Sequence, residues 1–292
     1  MKIRLDIIKN EGDKSKYAIV LVHGLGMDKN IWFDPSKSRI LGGMFPLKIL
    51  LKKYPSFKTI FHDLKKYNYP LITWSQRNPA GEIDKVVKEL NEIMSIASNM
   101  TEKGIIIICH SRGGLIARKY LMNSVAPVKA LITISTPHKG SSLARVSKYL
   151  SPVVSLFLQF IPEGRRNSTK SAVGKIMQFL GSKALKELLP DSKFFQSLKD
   201  FPVGGVNYFS IGGSTPTLFK LSRISFPDIL EKIIPAGLCP DEFRIDKGDG
   251  LVTVESSKLL WAQAHVNFPC NHVSILFDKQ VRNYIMKIIK EM

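Results

Sequence analysis

Short, uninterrupted apolar runs recur along the chain and are bounded by glycines, prolines and polar loops. Residues 105–108, for example, are four consecutive isoleucines, so both faces of a strand formed by this run would be apolar. Runs of this length are typical of strands that are buried on both faces of a sheet. They predict strands within 17–26, 57–64, 69–76, 104–109, 128–135, 206–213 and 262–269.

Between these runs, apolar residues recur at helical spacing. Segment 81–98 has an apolar stripe of this kind, which predicts a helix with one buried face. The pattern also predicts helices at 46–55, where Pro55 ends the segment, at about 113–123 and at 279–292. Strands that alternate with helices predict an α/β fold, in which helices cover both faces of a mostly parallel central sheet.

Two segments interrupt this alternation. Residues 139–205 contain much apolar helical pattern but no run typical of a sheet strand, and residues 214–248 are rich in proline and charge. We expect both to be insertions above one sheet rather than separate domains. Residues 1–292 would then form a single domain, with 139–205 as a helical cap or lid.

The composition is that of a globular protein with an unusual charge. Of the 292 residues 44% are apolar, and the formal net charge is +19. A solvated, lysine-rich surface is the simpler explanation, and an anionic lipid interface is the alternative that such a field favours. The chain has no basic run, zinc-ligand spacing or RNA-binding aromatic signature, which argues against nucleic acid as a partner.

The cysteines and the N-terminal residues bear on the compartment. Three cysteines without regular spacing argue against a disulfide framework and are typical of a reducing compartment. The first twenty residues lack an apolar segment of signal-peptide length. No apolar stretch approaches the ~18 residues of a transmembrane helix. We therefore expect a soluble, cytoplasmic protein.

The sequence IIIICHSRGGL at 105–115 predicts a buried strand, a tight turn and a helix in immediate succession. Ser111 would lie at the turn, at the carboxyl end of the strand, where open α/β sheets bind ligands. A nucleophilic serine at such a turn usually has the pattern Gly-x-Ser-x-Gly. Here Cys109 replaces the first glycine and Gly113 keeps the second. The alternative is that Ser111 only caps the helix.

Five short sequences together resemble the α/β-hydrolase fold, and more narrowly the bacterial triacylglycerol lipases and the GPI inositol-deacylase-like lipases. They are VHGLG at 22–26, HSRGGL at 110–115, STPHKGS at 135–141, GDGLV at 248–252 and NH at 271–272. Their order and spacing match the family, and they span most of the chain. The resemblance implies a serine hydrolase whose triad follows the chain order serine, acid, histidine.

This resemblance indicates which residues would form the triad. Ser111 would be the nucleophile, and His272, which follows the last predicted strand, would be the base. Asp249, which glycines flank, would be the acid. His265 is the alternative base and Asp246 the alternative acid. In such a triad the imidazole accepts the serine proton, and the carboxylate orients the imidazole.

An oxyanion hole would complete the site, because a tetrahedral intermediate needs preorganised N–H donors. The amide of Arg112 would lie at a helix start, where the helix dipole favours negative charge. By resemblance, the second donor is the amide of Leu25. The chain has no His-x-x-x-His or paired-cysteine site. HGLGMD also lacks the spacing of a dinucleotide site. We expect no metal and no cofactor.

These features predict a lipase or esterase that hydrolyses acyl esters through an acyl-enzyme. Thioesterases, amidases and acyltransferases use the same triad, so they are alternative activities. A non-catalytic acyl-lipid or membrane-surface binder that retains the fold is the alternative from another class.

The sequence SPVVSLFLQFIP at 151–162 predicts a cap helix with a wide apolar face. Its interior polar residues, Ser155 and Gln159, lie one turn apart and form a narrow stripe. Such a helix is either a mobile lid that meets acyl chains when it opens or a static buried cap. In the first case Phe157 and Leu158 contact the acyl chain.

A mobile lid predicts a chain-length dependence. Phe157→Ser should lower activity on long-chain esters more than on C2–C4 esters, because only long chains reach the apolar face. p-Nitrophenyl esters from C2 to C16 measure this, and activity on an emulsified ester should rise abruptly above its solubility limit. Equal losses at all chain lengths, with a smooth hyperbolic dependence through that limit, would leave a static cap.

Overall fold

The computed structural model describes residues 4–40, 45–47, 57–124, 126–142, 182–217, 220–221, 224–225 and 240–292. Within these ranges the strands are β1 (Asp6–Asn10), β2 (Ala18–Val22), β3 (Arg39–Ile40), β4 (Phe45–Pro46), β5 (Leu71–Ser75), β6 (Ile105–His110), β7 (Val128–Ile134), β8 (Asn207–Gly213), β9 (Lys220–Leu221), β10 (Ile224–Ser225) and β11 (Ala264–Phe268). The helices are α1 (Asn30–Phe33), α2 (Ile60–Lys66), α3 (Ile83–Ser98), α4 (Arg112–Leu121), α5 (Lys183–Glu187), α6 (Lys193–Ser197), α7 (Val254–Ser257) and α8 (Lys279–Glu291), with short 3₁₀ turns at Asp241–Phe243 and Ser274–Leu276.

A seven-stranded sheet forms the centre of the fold, in the order β1-β5-β2-β6-β7-β8-β11. Only β1 runs antiparallel to its neighbour β5, and the other neighbouring strands of this sheet are parallel. The predicted fold class, a mostly parallel α/β sheet, is confirmed.

Adjacent residues of the central strands point into two different hydrophobic cores. On β6, Ile105 and Ile107 belong to the core formed with α3 and α4. Ile106 and Ile108 belong to the core formed with α2 and α8. All four side chains are fully buried, and burial of each stabilises the fold by roughly 1.5–3 kcal/mol. A strand with a core on each side must be apolar at every position, which explains the uninterrupted runs in the sequence.

The strand predicted at 57–64 is wrong, because this segment contains α2. The backbone amide of Thr59 donates to Nδ1 of His62 at 3.2 Å, which holds the first helical turn. Ile60, Phe61 and Leu64 are buried along one helical face. Apolar residues in so short a segment fit either period, and the contact at the helix start favours the helix.

The sequence-based expectations and the structure also differ in two places near the first strands: an additional strand and the start of a predicted helix. The half-exposed edge strand β1 was not predicted, because its apolar run is short. The predicted helix at 46–55 does not begin at Pro46, which pairs with Arg39 of β3. Residues 48–56 lie outside the described residues.

Little of the two predicted insertions is described. The described part of 139–205 consists of 139–142 and 182–205, with α5 and α6 in the latter. Phe157 and Leu158, like the whole predicted cap helix, lie outside the described residues. Among the helices that the structure describes, none is long and apolar enough to span a membrane.

The first turn of α4 lies against the end of β2, and the packing there predicts a sensitive glycine. A Cβ at Gly113 would lie 2.7 Å from the carbonyl oxygen of Val22. We expect Gly113→Ala to lower the free energy of unfolding by roughly 1–3 kcal/mol, measured by urea denaturation. Gly204→Ala is the control, because no described atom lies within 4 Å of a Cβ at Gly204. Equal urea midpoints for the two variants would contradict this packing.

Candidate active site

Ser111 occupies the turn between β6 and α4 in an unusual backbone conformation. Its φ is 54° and its ψ is −131°, a region that costs a non-glycine residue roughly 1–3 kcal/mol. Its amide donates to the carbonyl of Ile134 at 2.8 Å. Its carbonyl accepts the Thr136 hydroxyl at 2.9 Å and the Gly114 amide at 3.0 Å. These three hydrogen bonds hold the turn and fix the direction of the serine side chain.

The neighbours of this turn are small or fully buried. A Cβ at Gly24 would lie 2.9 Å from the Cβ of Ser111, so the loop after β2 approaches closely only because residue 24 is glycine. Cys109, at the position of the first glycine in the usual pattern, is fully buried in the core of β6. The departure from that pattern therefore leaves the turn intact.

The Ser111 hydroxyl does not cap the helix. Although Ser111 stands at the N-cap position of α4, its side chain makes no capping hydrogen bond. Its Oγ instead lies 2.9 Å from Nε2 of His272. The interpretation of Ser111 as only a capping residue is therefore not supported.

His272 and Asp249 extend this contact into a hydrogen-bonded chain. Nδ1 of His272 lies 2.9 Å from Oδ2 of Asp249, and the His272 amide donates to the Asp249 carbonyl at 2.9 Å. The other carboxylate oxygen, Oδ1, accepts the amides of Leu251 and Val252 at 3.0 and 2.8 Å. Both His272 and Asp249 are almost completely buried. With Nδ1 donating to the carboxylate, Nε2 of His272 carries no hydrogen and accepts the hydrogen bond of the Ser111 hydroxyl.

The alternative base and acid lie elsewhere. His265, on β11, contacts the Ser210 hydroxyl at 2.8 Å and Oδ1 of Asn267 at 3.1 Å. Asp246 is exposed to solvent. The structure brings neither of them to Ser111.

The predicted oxyanion donors lie on the two backbone segments that meet at this turn. The amide of Arg112 is the first of α4. The amide of Leu25 belongs to the loop held by hydrogen bonds from Gly26 to the Pro79 carbonyl at 3.3 Å and from Met27 to the Gly24 carbonyl at 3.5 Å. Neither amide donates to another described residue. Within the described part of the chain, both are thus free to donate to an external oxygen.

Two buried histidines, His23 and His110, hold the backbone of the loops around the site by hydrogen bonds. Burial lowers the pKa of His23 to about 4, so its ring is neutral at pH 7. Its Nδ1 then donates to the Gly24 carbonyl at 3.0 Å, and its Nε2 accepts the Gln76 amide at 3.1 Å. These bonds fix the loop that carries Leu25.

His110 is the second supporting histidine. Its ring lies 4.8 Å from the ring of His272, centre to centre, and its Nε2 lies 2.8 Å from the His272 carbonyl. Burial holds the pKa of His110 well below its usual range. The neutral ring therefore donates from Nε2 and fixes the backbone of His272.

Solved structures of a lipase and a carboxylesterase superpose on this chain. A lipase from Bacillus licheniformis, BlEst2, superposes in its propeptide form with a TM-score of 0.60 at 19% identity, over 97% of this chain and 53% of that chain. The present chain thus spans about half of that form. The mature form superposes with a TM-score of 0.55 at 16% identity, over 97% of both chains. A carboxylesterase of the thaumarchaeon Nitrososphaera gargenis gives 0.53 at 15% identity, over 98% and 94%. The protein therefore has the α/β-hydrolase fold.

The sequence itself defines the family. The model described as Domain of unknown function (DUF7379) matches residues 67–259, more than half of the chain. The chain belongs to this family. No curated protein matches the sequence. Among the described residues, no three His, Cys, Asp or Glu side chains lie together as metal ligands would.

The neutral His23 predicts a loss of stability in acid. Its pKa is about 4 in the fold and about 6.5 in an unfolded chain, so between these values only the unfolded chain binds the proton. Stability must then fall as the pH is lowered through this range, by up to ~1.4 kcal/mol per pH unit from this residue. His23→Asn should show a shallower fall of the melting temperature between pH 6.5 and 4.5. Identical pH slopes for the variant and the parent would contradict the assignment.

Proposed function

We propose that the protein is a serine hydrolase of carboxylic esters, a lipase or esterase. One observation carries the proposal: the hydrogen-bonded chain from Ser111 through His272 to Asp249, with 2.9 Å at both links. Acyl-transfer enzymes of unrelated folds contain the same hydrogen-bonded arrangement, in which the nucleophile contacts the base and the base contacts the orienting acid. The names of the compared structures, a lipase and a carboxylesterase, agree with this chemistry.

The proposed reaction proceeds in two halves. Oγ of Ser111 attacks the ester carbonyl carbon while Nε2 of His272 accepts the hydroxyl proton. The amides of Leu25 and Arg112 stabilise the negative oxygen of the tetrahedral intermediate. Collapse of this intermediate breaks the bond to the alcohol, which takes the proton from His272 and leaves an acyl-enzyme. Water then repeats the sequence, releases the carboxylic acid and restores Ser111.

The neighbours of His272 suit this proton transfer. Asp249 accepts from Nδ1, so it stabilises the imidazolium that forms when Nε2 takes the serine proton. Its second oxygen is held by two backbone amides, which keeps the carboxylate from rotating away. Burial excludes water from the His272–Asp249 pair, and this strengthens its electrostatic interaction.

We further propose acyl lipids as the substrates and an anionic lipid surface as the place where they are met. The apolar segment 151–162 supports the first part, with Phe157 and Leu158 against the acyl chain. The net charge of +19 supports the second, because cationic residues beside an apolar segment favour anionic interfaces.

Substitution of the three triad residues tests the reaction. Ser111→Ala and His272→Ala should each lower kcat by at least ~10³-fold, and the double variant little further, because the triad acts as a unit. Asp249→Asn should cost up to ~10⁴-fold by favouring the wrong tautomer of His272. Hydrolysis of p-nitrophenyl esters measures the rates, and circular dichroism checks the fold.

The residues outside the hydrogen-bonded chain supply the controls. Asp246→Asn and His265→Asn should keep near-parental activity. A fluorophosphonate probe should label the parent at Ser111 and leave Ser111→Ala unlabelled. Near-parental hydrolysis by Ser111→Ala would overturn the mechanism, and a folded parent that stays unlabelled would favour the non-catalytic binder.

A further inference from the structure

The side chain of Arg112 is completely buried beside the site, although arginine is rarely buried unless it is paired. Its guanidinium donates to the carbonyl of Gly81, to the carbonyl of Pro79 at 3.4 Å and to Oε2 of Glu187 at 3.3 Å. Burial lowers its pKa, and Glu187 opposes this shift. Because arginine keeps its proton in proteins, a full positive charge lies behind the serine turn. None of the steps proposed above uses this charge.

One carbonyl joins this side chain to the opposite side of the proposed oxyanion hole. The Pro79 carbonyl accepts both the Arg112 guanidinium and the amide of Gly26, at 3.3 Å. Gly26 directly follows Leu25. Arg112 would therefore provide one oxyanion donor with its amide. Its side chain binds the Pro79 carbonyl, which anchors the loop whose Leu25 amide would be the other donor.

The second partner, Glu187, extends the link to α5. Its two carboxylate oxygens accept the amide of Ile83, at the start of α3, at 3.2 and 3.1 Å. The Ala184 amide, also on α5, donates to the Ala80 carbonyl at 3.4 Å. The Arg112–Glu187 pair thus links three parts of the chain: the loop 79–81, the start of α3 and α5.

We infer that the Arg112 side chain is a positioning residue, which sets the separation between the Leu25 and Arg112 amides and couples it to α5. This role rests on the function proposed above. Because the oxyanion exists only in the transition state, loss of the link should lower kcat while leaving KM nearly unchanged. A purely structural role would lower stability without this selectivity.

Arg118 provides a matched control on the same helix. It too is a buried arginine, and it donates to the carboxylate of Asp200 at 3.1 Å and to the carbonyl of Lys199 at 3.0 Å. It makes no hydrogen bond to the Leu25 loop or to residues 79–81 in the described structure. Replacing either arginine therefore removes a buried guanidinium and its ion pair, but only Arg112 binds the Pro79 carbonyl that anchors the Leu25 loop.

The experiment compares Arg112→Met with Arg118→Met, and Arg112→Lys with Arg118→Lys. All four keep every backbone amide, so the Arg112 N–H donor remains present. We expect lower melting temperatures in both series. Only the Arg112 variants should lose kcat, by about 10²-fold for methionine, with KM within a factor of about three. Lysine keeps the positive charge but lacks the forked donors of a guanidinium, so Arg112→Lys should lose less kcat than Arg112→Met.

A second readout is the affinity for an alkylboronic acid, whose adduct with the serine mimics the tetrahedral intermediate. Its dissociation constant should rise in the Arg112 variants by a factor close to the loss of kcat, and stay near the parental value in the Arg118 variants. If the methionine variants do not fold, the lysine pair decides. Equal kcat and boronic acid affinity in the two series would overturn the positioning role. A parent that no fluorophosphonate labels would instead overturn the proposed function, and this role with it.

Discussion

Ser111 holds a positive φ that a serine adopts only at a cost, and the central part of the fold serves to keep it there. The fully buried strand β6 ends directly before Ser111, and the carbonyl of Ile134 on β7 accepts the hydrogen bond from the Ser111 amide. Thr136 holds its carbonyl. Glycine at position 24 lets the neighbouring loop approach the turn. Hydrogen bonds thus hold both the amide and the carbonyl of the strained residue, so that its hydroxyl has one direction.

Parallel strands bring the remaining groups to the same place. Ser111 follows β6, Asp249 lies in the region after β8, and His272 follows β11, so all three stand beyond the carboxyl ends of strands in one sheet. Neutral histidines then fix the loops by donating from one ring nitrogen: His23 to the Gly24 carbonyl and His110 to the His272 carbonyl. Uncharged rings suit this task, since a buried imidazolium without a partner would be costly.

The sequence predicted what depends on continuous apolar runs and short local patterns. The four isoleucines of 105–108 predict a strand with a core on each side, and the glycine-rich turn after them places Ser111. It could not predict α2, because Ile60, Phe61 and Leu64 fit both a strand and a helix until the contact between Thr59 and His62 decides. Nor could it predict the side chain of Arg112. An arginine in a turn has no local signal of burial, since its partners Pro79, Gly81 and Glu187 come from distant segments.

The order of the strands in the chain has a consequence for protein synthesis. Ser111 leaves the ribosome 161 residues before His272, and β11, which joins the sheet beside β8, is the last strand of the central sheet to be made. A nascent chain can therefore contain the complete serine turn while the imidazole that would take its proton has not yet been translated. Under the proposed function, a nascent chain that ends before His272 cannot hydrolyse esters, and hydrolysis becomes possible only after β11 and His272 have been made.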